Sequence, residues 1–478
     1  MTPRSSQRRT RIIATLGPAT DAPGVLEALI EAGLDVARIN YSHGTAAEHA
    51  ERITRCRRIA RDASHPLAVL ADLPGPKLRV LLSAPLLLRP DQDVTVALAA
   101  GVPADFHVTE PEVLVGLRAG QRVLLDDGRL QLRATQSDGA RVILRVEVGG
   151  TLLPNKGINV PDTRLTIPAL TPRDHVALAA AAAAQVDWLA LSFVRSPAAA
   201  TELRDAARGH GLEVPVMAKI ERPEAVEQAA EIVDAFDGIM VARGDLGVEI
   251  PLEQVPAVQK RLITLARTAG KPVVTATDML DSMRNSPRPT RAEVNDVANA
   301  VYDGTDALML SGETAVGQYP AAAVSWMGRI AQEADATLGA TDRDVPVSST
   351  HVRDHLTRFA CALAREIRAD AILAPTVSGR TARLVARHRP GIPIVALSSD
   401  AVLRQLALAW GVRPVPLDVT SRLGEDRLAF VVRTAFAHGA VEPGDQVVLL
   451  ADQPVEGEER VPTIRVVRVG EAGQSCEP

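Results

Sequence analysis

Short apolar runs alternate with helix-like segments along most of this chain, and this alternation limits its fold more than any other feature. Before residue 75, three strand-like runs alternate with two helix-like segments, the strands at 10–16, 36–39 and 67–72 and the helices at 22–32 and 46–60. From residue 171 to about 339, the alternation resumes with five strand-like runs, at 187–193, 214–220, 237–242, 272–276 and 306–310. This rhythm is typical of parallel βα units. Eight such strands predict an α/β fold that contains a (β/α)8 TIM barrel.

The pattern changes between about residues 80 and 167, where the runs become shorter and apolar residues alternate with polar ones. Turn sequences occur at 126–128 (Asp-Asp-Gly), 137–139 (Ser-Asp-Gly) and 149–150 (Gly-Gly). Asp-Gly and Gly-Gly are signals of β-hairpins. The sequence therefore predicts an antiparallel β domain inserted into the barrel, called the lid domain below.

A third block of alternation follows a polar linker at 340–350. Its strand-like runs lie at 371–375, 394–397, 413–417, 446–450 and 463–467. They predict a small C-terminal doubly wound α/β domain. The predicted domain boundaries are 1–76 and 168–340 for the two parts of the barrel, 77–167 for the lid domain and 341–478 for the C-terminal domain.

Charge and composition exclude several classes of function. The formal net charge is −5 at pH 7 and the basic residues are dispersed, so no nucleic-acid binding is expected. The apolar stretch at 176–191 is interrupted by Gln185 and Asp187, and the amino terminus has no signal-peptide pattern, so no membrane association is expected. Three widely spaced cysteines indicate neither a disulfide framework nor a metal cluster, and we expect a cytoplasmic protein.

One lysine and two carboxylates lie at the ends of two apolar runs in the second barrel block. Lys219 and Glu221 end the run at 214–220, and Asp245 follows the run at 237–242. A barrel of parallel strands keeps its active site at the strands' carboxyl ends, so these side chains are expected to converge. Two facing carboxylates can hold Mg²⁺, which completes its shell with water and substrate phosphate. A lysine beside them can neutralise a phosphoryl group in transit.

The composition supports a specific role for this lysine. Only five of the 53 lysine and arginine residues are lysines, at positions 77, 156, 219, 260 and 271. The chain thus uses arginine wherever a general positive charge is enough. Because a compact ammonium differs from a planar guanidinium in reach and hydration, the remaining lysines are candidates for specific contacts.

A second phosphate site is indicated in the C-terminal block, where a polar loop follows the run at 371–375 and opens a helix-like segment. Its candidate binding residues are Thr376, Ser378, Gly379, Arg380 and Thr381. Backbone N–H groups and hydroxyls in this position can hold a phosphate. An ordinary Ser/Gly turn before a helix explains the loop equally well, so the loop alone leaves both interpretations open.

Seven motifs occur in a fixed order along nearly the whole chain. They are Arg-Ile-Asn-Tyr-Ser-His-Gly at 38–44, Ala-Asp-Leu-Pro-Gly-Pro-Lys-Leu-Arg at 71–79, Met-Ala-Lys-Ile-Glu at 217–221, Met-Val-Ala-Arg-Gly-Asp-Leu-Gly at 240–247, Ala-Thr-Asp-Met-Leu-Asp-Ser-Met at 276–283, Pro-Thr-Arg-Ala-Glu at 289–293 and Met-Leu-Ser-Gly-Glu-Thr at 309–314. Together they resemble the pyruvate kinase family. The resemblance implies a barrel with an inserted lid domain and a C-terminal regulatory domain, which agrees with the layout above.

The resemblance also implies an activity, the transfer of the phosphoryl group of phosphoenolpyruvate to ADP in the last step of glycolysis. By position, Arg38 is expected to grip the phosphate and Lys219 to stabilise the moving phosphoryl group. Glu221 and Asp245 are expected to hold Mg²⁺ or Mn²⁺. The N–H groups of Gly244 and Asp245 are expected to bind the substrate carboxylate.

Further roles are implied by the same resemblance. Thr277 and Ser311 are expected near a hydroxyl and water relay that protonates the enolate, with the final donor unassigned. The nucleotide contacts implied by the family pattern are Asn40, His43, Arg79 and, in the lid domain, Lys156. Glu313 is expected to belong to an ion-pair network of the barrel, and the chain is expected to assemble as a homotetramer.

Potassium dependence is addressed by the motif at the third strand. Asn40, Ser42, Asp72 and the carbonyl of Leu73 resemble the oxygen ligands of the family's monovalent-cation site. Family members that need potassium have a sequence of the type Asp-Thr-Lys-Gly-Pro-Glu at this strand. This chain has Lys77 in place of the final glutamate. A lysine there is similar to the potassium-independent branch, in which a tethered ammonium replaces the cation's charge. The resemblance therefore implies that K⁺ is not required.

The C-terminal segment at 451–460 bears on the allosteric effector. It lacks the Trp-Arg-Pro-Gly-Ser-Gly type of loop seen in members activated by fructose 1,6-bisphosphate, and its three glutamates would repel a bisphosphate. With the loop at 376–381 present, the expected effector is a phosphorylated metabolite with one phosphate, such as AMP or a sugar monophosphate.

Two other functions are compatible with parts of the sequence. A barrel aldolase or lyase could use Glu221 and Asp245 to hold a metal enolate, but it needs no nucleotide site, and Arg79 and Lys156 argue against it. A catalytically inactive sensor could bind phosphometabolites through the loop at 376–381. The intact charged cluster at the barrel mouth argues against a sensor, because an unused site has no physical reason to keep such charges.

Overall fold

The first alternating block forms three parallel strands with helices between them. A computed structural model describes residues 8–98, 101–165, 167–338, 345, 347, 350–417, 427–454 and 460–476 of the chain. In chain order the first block comprises β1 (Arg11–Leu16), a 3-10 turn (Pro18–Thr20), α1 (Val25–Glu31), β2 (Val36–Asn40), α2 (Ala46–Asp62) and β3 (Ala68–Leu73). Every residue of β3 is buried, which explains why its sequence is almost entirely apolar.

The lid domain follows β3 and is built from antiparallel strands. Its elements are β4 (Val80–Leu81), β5 (Leu86–Leu88), β6 (Asp93–Ala97), β7 (His107–Val108), α3 (Glu112–Val115), β8 (Arg122–Leu125), β9 (Leu130–Ser137), β10 (Arg141–Val148), β11 (Gly150–Leu152) and β12 (Ile158–Asn159). Five of the strands form a sheet in the order β12-β8-β9-β10-β6, and the pairs β11-β5 and β4-β7 stand beside it. The inserted antiparallel domain is thus confirmed.

One of the three predicted hairpins is wrong. The turns at 126–128 and 137–139 join β8 to β9 and β9 to β10, which pair antiparallel. The Gly-Gly sequence instead lies where the chain crosses from β10 to β11, and β11 pairs with β5. A side chain on Gly149 would place its Cβ 2.5 Å from the carbonyl oxygen of Leu88, so this glycine permits a close approach of two segments rather than a hairpin turn.

The second alternating block completes the barrel. Its elements are α4 (Pro172–Ala183), β13 (Trp188–Leu191), α5 (Ala198–Gly209), β14 (Val216–Ile220), α6 (Pro223–Glu227), α7 (Ala229–Ala235), β15 (Gly238–Ala242), α8 (Arg243–Glu249), a 3-10 turn (Leu252–Gln254), α9 (Val255–Thr268), β16 (Val273–Ala276), a 3-10 turn (Asp281–Arg284), α10 (Arg291–Asp303), β17 (Ala307–Leu310), α11 (Gly312–Ala315) and α12 (Pro320–Leu338). The sheet closes in the order β1-β17-β16-β15-β14-β13-β3-β2, with β3 pairing parallel to β13 across the insertion. The predicted eight-stranded barrel is confirmed.

The C-terminal domain contains a mixed sheet. Its elements are α13 (Val352–Glu366), β18 (Ala371–Pro375), α14 (Arg380–Ala386), β19 (Ile394–Ser398), α15 (Asp400–Gln405), a 3-10 turn (Leu406–Leu408), β20 (Val412–Pro416), α16 (Arg427–Ala437), β21 (Gln446–Pro454), β22 (Arg460–Val469) and β23 (Ser475–Cys476). The strand order is β20-β19-β18-β21-β22-β23. The first four strands in this order are parallel, as a doubly wound domain requires. The predicted run at 463–467 forms β22, but it pairs antiparallel with β21, and β23, which the sequence pattern did not predict, pairs antiparallel with β22.

The C-terminal domain covers the amino ends of the barrel strands. Leu408 packs in the barrel interior with Val36, Ala68 and Trp188, each at the start of its strand. Trp188 Nε1 donates a hydrogen bond of 3.0 Å to the carbonyl of Gln405. The carboxyl ends of the strands therefore remain on the side from which the lid domain leaves the barrel.

Several predictions concern residues at or beyond the limits of the structure. Most of the predicted linker at 340–350, and residues 455–459 of the segment at 451–460, lie outside the described residues. Within the described ranges, no helix has the length and apolarity that crossing a membrane requires.

Candidate active site

Lys219 is the centre of a buried ion-pair cluster at the barrel mouth. It is the fourth residue of β14, and its Nζ lies 3.0 Å from Glu221 Oε1 and 3.3 Å from Asp72 Oδ1. The same ammonium donates a hydrogen bond of 2.7 Å to Ser192 Oγ. Burial opposes the charged form, but Asp72 and Glu221 outweigh it and raise the pKa of Lys219. The lysine is therefore a fixed positive charge.

Arg38 joins the cluster from the neighbouring strand β2. Its Nε and Nη2 each lie 2.7 Å from Asp72 Oδ2, and its Nη1 donates a hydrogen bond of 2.8 Å to Thr15 Oγ1. Burial alone would raise the pKa of Asp72, but Lys219 and Arg38 hold it below its ordinary range. Asp72 thus orients both predicted phosphate-binding cations through one carboxylate.

Glu221 is a buried carboxylate with one oxygen bound to the backbone and the other facing Lys219. Its Oε2 accepts a hydrogen bond of 2.7 Å from the backbone N–H of Phe193. Its Oε1 lies 3.0 Å from the Lys219 ammonium and has no other hydrogen-bond donor among the residues that the structure describes. Burial raises the pKa of Glu221 to about 6, with Lys219 opposing and the charge of Asp245 adding to the increase. Such a carboxylate is poised to gain from a further positive charge.

Asp245 lies in the first turn of α8 with its side chain 29% exposed. Its Oδ1 is 3.4 Å from Nζ of Lys77, which comes from the segment that enters the lid domain. The Lys77 ammonium also lies 5.8 Å from the centre of the Phe193 ring. Asp245 therefore faces the same region as Glu221 and has a cation of its own close by.

The chemistry of Glu221 and Asp245 suits a divalent cation. No group of three or more His, Cys, Asp or Glu side chains that could hold a metal occurs in the described parts of the chain. Mg²⁺ does not need one, because it is commonly bound through one or two carboxylates with water and substrate phosphate completing its shell. The buried Oε1 of Glu221, whose one donor in the described structure is Lys219, and the partly exposed carboxylate of Asp245 have the chemistry that such an ion requires.

Thr277 is held in a strained conformation directly after β16. Its φ of 69° is rare for a β-branched residue, and strain of this kind clusters at functional sites. Its Oγ1 accepts a hydrogen bond of 2.6 Å from the backbone N–H of Gly244 and donates one of 2.6 Å to the carbonyl of Ala276. The predicted substrate residues Gly244 and Thr277 are thus in direct contact.

Ser311 follows β17, the strand beside β16, and it contacts Glu313. The expected role of Glu313 in an ion-pair network is wrong. Glu313 does not belong to an ion-pair network among the described residues. Its buried carboxylate accepts backbone hydrogen bonds from Ser311, at 2.7 Å, and from Leu280, at 3.1 Å. Burial raises the pKa of Glu313, while backbone hydrogen bonds, including those from Leu280 and Ser311, oppose the increase. Glu313 therefore ties the loops after β16 and β17 together.

The predicted nucleotide residues divide between the barrel and the lid domain. His43 lies in the turn after β2, where burial and the charges of Arg79, Arg173, Lys77 and Arg38 lower its pKa. Arg79 donates a hydrogen bond of 2.9 Å to the carbonyl of Asn155. Concentrated positive charge around a neutral histidine is a suitable environment for a polyphosphate.

Lys156 and Asn40 have contacts within their own segments. Lys156 Nζ lies 2.7 Å from Asp126 Oδ1 of the lid domain. Asn40 Oδ1 accepts a hydrogen bond of 3.0 Å from the backbone N–H of Ser42, which shapes the turn that carries His43. A nucleotide that engaged Lys156 would therefore compete with Asp126 for this ammonium.

Three of the four residues predicted for the monovalent-cation site, Asn40, Asp72 and Leu73, accept hydrogen bonds from the protein, and the fourth, Ser42, accepts one at its backbone carbonyl from Arg173. Leu73 O accepts a hydrogen bond of 2.8 Å from Ser192, Asp72 is bound by Arg38, and Asn40 is bound by Ser42. The Lys77 ammonium makes its ion pair with Asp245, whose carboxylate is not among those oxygens. Lys77 thus adds positive charge beside Asp245, one of the two carboxylates predicted to hold the metal.

The loop at 376–381 joins β18 to α14 at the carboxyl edge of the C-terminal sheet. Its Gly379 has a φ of 75° and is the N-cap of α14. Thr381 Oγ1 accepts a contact of 3.4 Å from Arg353, while Arg380 and Ser378 are exposed and Thr376 is buried. Arg380 Nη2 lies 3.6 Å from Asp354 Oδ1. These residues leave an exposed hydroxyl and guanidinium beside a helix start.

Two residues of the site were missed in the sequence. Ser192 follows β13 and contacts Lys219, Leu73 and Asp72, and its position directly after a barrel strand was the available signal. Arg243 lies inside one of the seven motifs, and it donates hydrogen bonds of 2.7 Å to the Thr277 carbonyl and to the Asp296 side chain. It thereby holds the strained turn at Thr277.

Comparisons with known proteins agree with this geometry. The sequence matches the family model "Pyruvate kinase, barrel domain" over residues 7–324 and the family model "Pyruvate kinase, alpha/beta domain" over residues 354–467. It is 43% identical to the pyruvate kinase of Methylorubrum extorquens over 461 residues, which cover 94% of each chain. It is 40% identical to the pyruvate kinase of Geobacillus stearothermophilus over 462 residues, 94% of this chain and 78% of that protein. It is 41% identical to pyruvate kinase 2 of Synechocystis sp. over 473 residues, 96% of this chain and 80% of that protein.

Proposed function

The chain belongs to the pyruvate kinase family, and from that premise we propose that it transfers the phosphoryl group of phosphoenolpyruvate to ADP, giving ATP and pyruvate. The family makes it a phosphotransferase. The observation that carries the proposed mechanism is the buried contact of 3.0 Å between Lys219 and Glu221, with Asp72 orienting Arg38 beside them. It brings fixed positive charge to carboxylates that suit a divalent cation.

Lys219 would neutralise charge on the phosphoryl group between its leaving and attacking oxygens. A group already held by Ser192, Glu221 and Asp72 needs no reorganisation when that charge develops, which is the main source of electrostatic catalysis. Arg38 would grip the phosphate at the same time, with Asp72 fixing the plane of its guanidinium.

Glu221 and Asp245 would hold Mg²⁺ or Mn²⁺, which when bound supplies the positive charge that neutralises substrate oxygens. The backbone N–H groups of Gly244 and Asp245, in the first turn of α8, would bind the substrate carboxylate. The Gly244 N–H would exchange its present acceptor, Thr277 Oγ1, for a substrate oxygen, which leaves the Thr277 hydroxyl beside the same carboxylate. With Ser311, this hydroxyl would belong to the relay that protonates the enolate.

The nucleotide would bind between the turn at His43 and the lid domain. Arg79, Arg173 and Lys77 surround His43 with positive charge that favours a diphosphate. Asn40 shapes the turn, and Lys156 would leave Asp126 to reach a phosphate oxygen. We also propose a cytoplasmic homotetramer, for which the molar mass by light scattering is the direct test.

The activity is tested by pyruvate formation measured through coupled reduction by lactate dehydrogenase, with Mg²⁺ present and with or without ADP. Pyruvate formation that requires ADP supports the kinase. Pyruvate formation without ADP would support a lyase acting on a metal enolate, and binding of phosphometabolites without turnover would support a sensor.

Full activity without potassium is the first prediction. Lys77 supplies a tethered positive charge 3.4 Å from Asp245, and Asn40, Asp72 and the Leu73 carbonyl of the proposed monovalent-cation site already accept hydrogen bonds from the protein. In buffer free of sodium and potassium, adding KCl at constant ionic strength should change the steady-state rate by less than about twofold. Lys77→Gln removes the charge and should lower the rate in that buffer by roughly tenfold or more.

The control for the potassium prediction is Lys260→Gln. Lys260 is a half-exposed lysine that pairs with Asp303 on the outside of the barrel, so its replacement should leave the rate unchanged. Strong activation of the unmodified protein by KCl would contradict the prediction.

Activation by a phosphorylated metabolite with one phosphate is the second prediction. AMP, ribose 5-phosphate or glucose 6-phosphate is expected to lower the phosphoenolpyruvate concentration needed for half-maximal rate. Arg380→Gln removes an exposed guanidinium from the loop at 376–381 and should raise the half-activating concentration by roughly tenfold, since a charge-assisted contact to phosphate would be lost.

The matched control for the effector prediction is Arg468→Gln on β22, another exposed arginine of the same domain, which should respond to effectors as the unmodified protein does. Fructose 1,6-bisphosphate should show no binding by calorimetry at micromolar concentration. Binding at that concentration would reverse the ranking of effectors.

A further inference from the structure

A buried charge cluster lies at the junction of the lid domain and the barrel, outside the proposed phosphoryl site. Its centre is Arg222, the residue after Glu221, whose side chain is 2% exposed. Arg222 Nη1 donates a hydrogen bond of 2.8 Å to Glu249, and its Nε and Nη2 donate to Glu224 at 3.1 and 3.0 Å. One guanidinium thus faces two carboxylates that are themselves nearly buried.

The lid domain supplies the remaining partners of this cluster. Asn159 Nδ2, in β12, donates a hydrogen bond of 2.6 Å to Glu249 Oε1. Arg222 Nη2 also donates a hydrogen bond of 3.1 Å to the carbonyl of Thr163. A buried carboxylate needs hydrogen-bond donors for its oxygens. In this structure the lid domain supplies one of the donors to the buried carboxylate of Glu249.

The neighbouring loop holds the same lid segment. Arg195 Nη1 donates to the carbonyl of Leu165 at 2.9 Å, and its Nη2 donates to the carbonyls of Ile167 and Pro168 at 2.5 and 3.1 Å. Arg195 follows β13, as Arg222 follows β14. Two adjacent barrel loops therefore each extend an arginine to the chain that returns from the lid domain.

The cluster is also linked to both proposed metal carboxylates. Arg222 is bonded in sequence to Glu221, and Glu249 lies one helical turn after Asp245 in α8. All four hydrogen bonds of the Arg222 guanidinium go to Glu224, Glu249 and Thr163, none of which belongs to the phosphoryl site. Its action on the chemistry must therefore be indirect.

We propose that Arg222 is a positioning residue that latches the lid domain over the barrel mouth through Glu249 and Asn159, and that closure of this latch sets the loops of Glu221 and Asp245 for phosphoryl transfer. The kinetic part rests on the proposed function, since the lid domain is expected to act through its nucleotide contact at Lys156. The structural part of the proposal is independent of that function. It states that the return segment of the lid domain is held to the barrel whether or not the enzyme turns over.

Asn159→Ala tests the latch from the lid side and leaves the Arg222 pairs with Glu224 and Glu249 intact. Amide hydrogen exchange in the segment 158–165 should become about fivefold faster or more, because one of its anchoring contacts with the barrel is lost. The KM for ADP should rise about tenfold and kcat should fall, while the KM for phosphoenolpyruvate stays within about twofold. A purely structural role would lower the folded fraction and leave both KM values unchanged.

Arg222→Lys gives the second test, because a lysine keeps the charge and loses the forked geometry. It should shift the same two readouts in the same direction, and it keeps the proposal open to refutation if Asn159→Ala does not fold. The control is Arg164→Ala, in the same return segment, whose side chain is 84% exposed and pairs at the surface with Glu227. That variant should change neither readout.

The outcomes separate the latch from the proposed function. Faster exchange at 158–165 in a protein without ADP-dependent turnover would support the latch and overturn the function. Normal turnover with unchanged exchange and an unchanged KM for ADP in both variants would overturn the latch and leave the function standing.

Discussion

Replacing Lys219 with methionine is expected to lower kcat for pyruvate formation by roughly 10³-fold or more and to change the KM for phosphoenolpyruvate much less. The methionine has a similar length and removes the charge. In the unmodified protein Lys219 is fixed by Ser192, Glu221 and Asp72, so its charge is in place before the phosphoryl group moves. An interaction that strengthens in the transition state appears in kcat rather than in KM.

The measurement is steady-state ADP-dependent pyruvate formation at saturating Mg²⁺, with the folded state checked by circular dichroism. Removing the ammonium leaves the buried carboxylates of Asp72 and Glu221 less compensated, so some loss of stability accompanies the change. Lys260→Met is the control, because Lys260 carries the same charge on the outside of the barrel. A folded Lys219→Met protein with a kcat within about tenfold of the unmodified protein would remove Lys219 from the mechanism.

The barrel could be predicted from the sequence because its strands are buried on both faces. All five residues of β14 are buried, and the apolar run at 214–220 contains this strand with an error of only two residues at its start. A run of this kind needs no knowledge of its neighbours to be recognised. The lid domain was harder, since the role of Gly149 and Gly150 depends on β5, a segment about sixty residues earlier in the chain.

The site was predictable to the extent that it consists of strand ends. Lys219, Glu221 and Asp245 each lie at the end of an apolar run, and topology alone brings such positions to one face. Ser192 was missed because its contact with Lys219 depends on the register of β13 against β14, which one sequence does not give. Lys77 was assigned to the monovalent cation, but its contact with Asp245 depends on the path of the chain into the lid domain.

The two buried carboxylates of the site, Asp72 and Glu221, differ in how their charge is stabilised. Asp72 binds Arg38 and Lys219, and these two cations lower the pKa of its carboxyl group. Asp72 therefore remains charged when the substrate adds negative charge nearby. Glu221 is the opposite case, since burial raises its pKa toward neutrality. The site therefore keeps one carboxylate permanently ionised for orientation and leaves the other to be stabilised by a bound cation.

Replacing Glu221 with glutamine is expected to weaken Mn²⁺ binding to the substrate-free protein by roughly 10²-fold at pH 8 and to reduce turnover at least as much. The Oε1 atom of Glu221 has no donor other than Lys219 in the described structure, and a neutral amide cannot replace its charge. Mn²⁺ is used because its binding can be followed directly by electron paramagnetic resonance. Glu231→Gln, an exposed position on α7, is the matched control and should bind the metal normally.

The same substitution should remove a dependence of metal binding on pH. The pKa of Glu221 in the metal-free protein is raised to about 6, so the neutral form is favoured there and its contribution to folding stability is lost as the pH rises through that value. Metal binding needs the carboxylate and has the opposite dependence. Affinity should be nearly constant above pH 7 and fall by up to about tenfold per pH unit below pH 6, with roughly one proton released per metal bound at pH 5. A Glu221→Gln protein that kept this proton release would show that another group is the ligand that titrates.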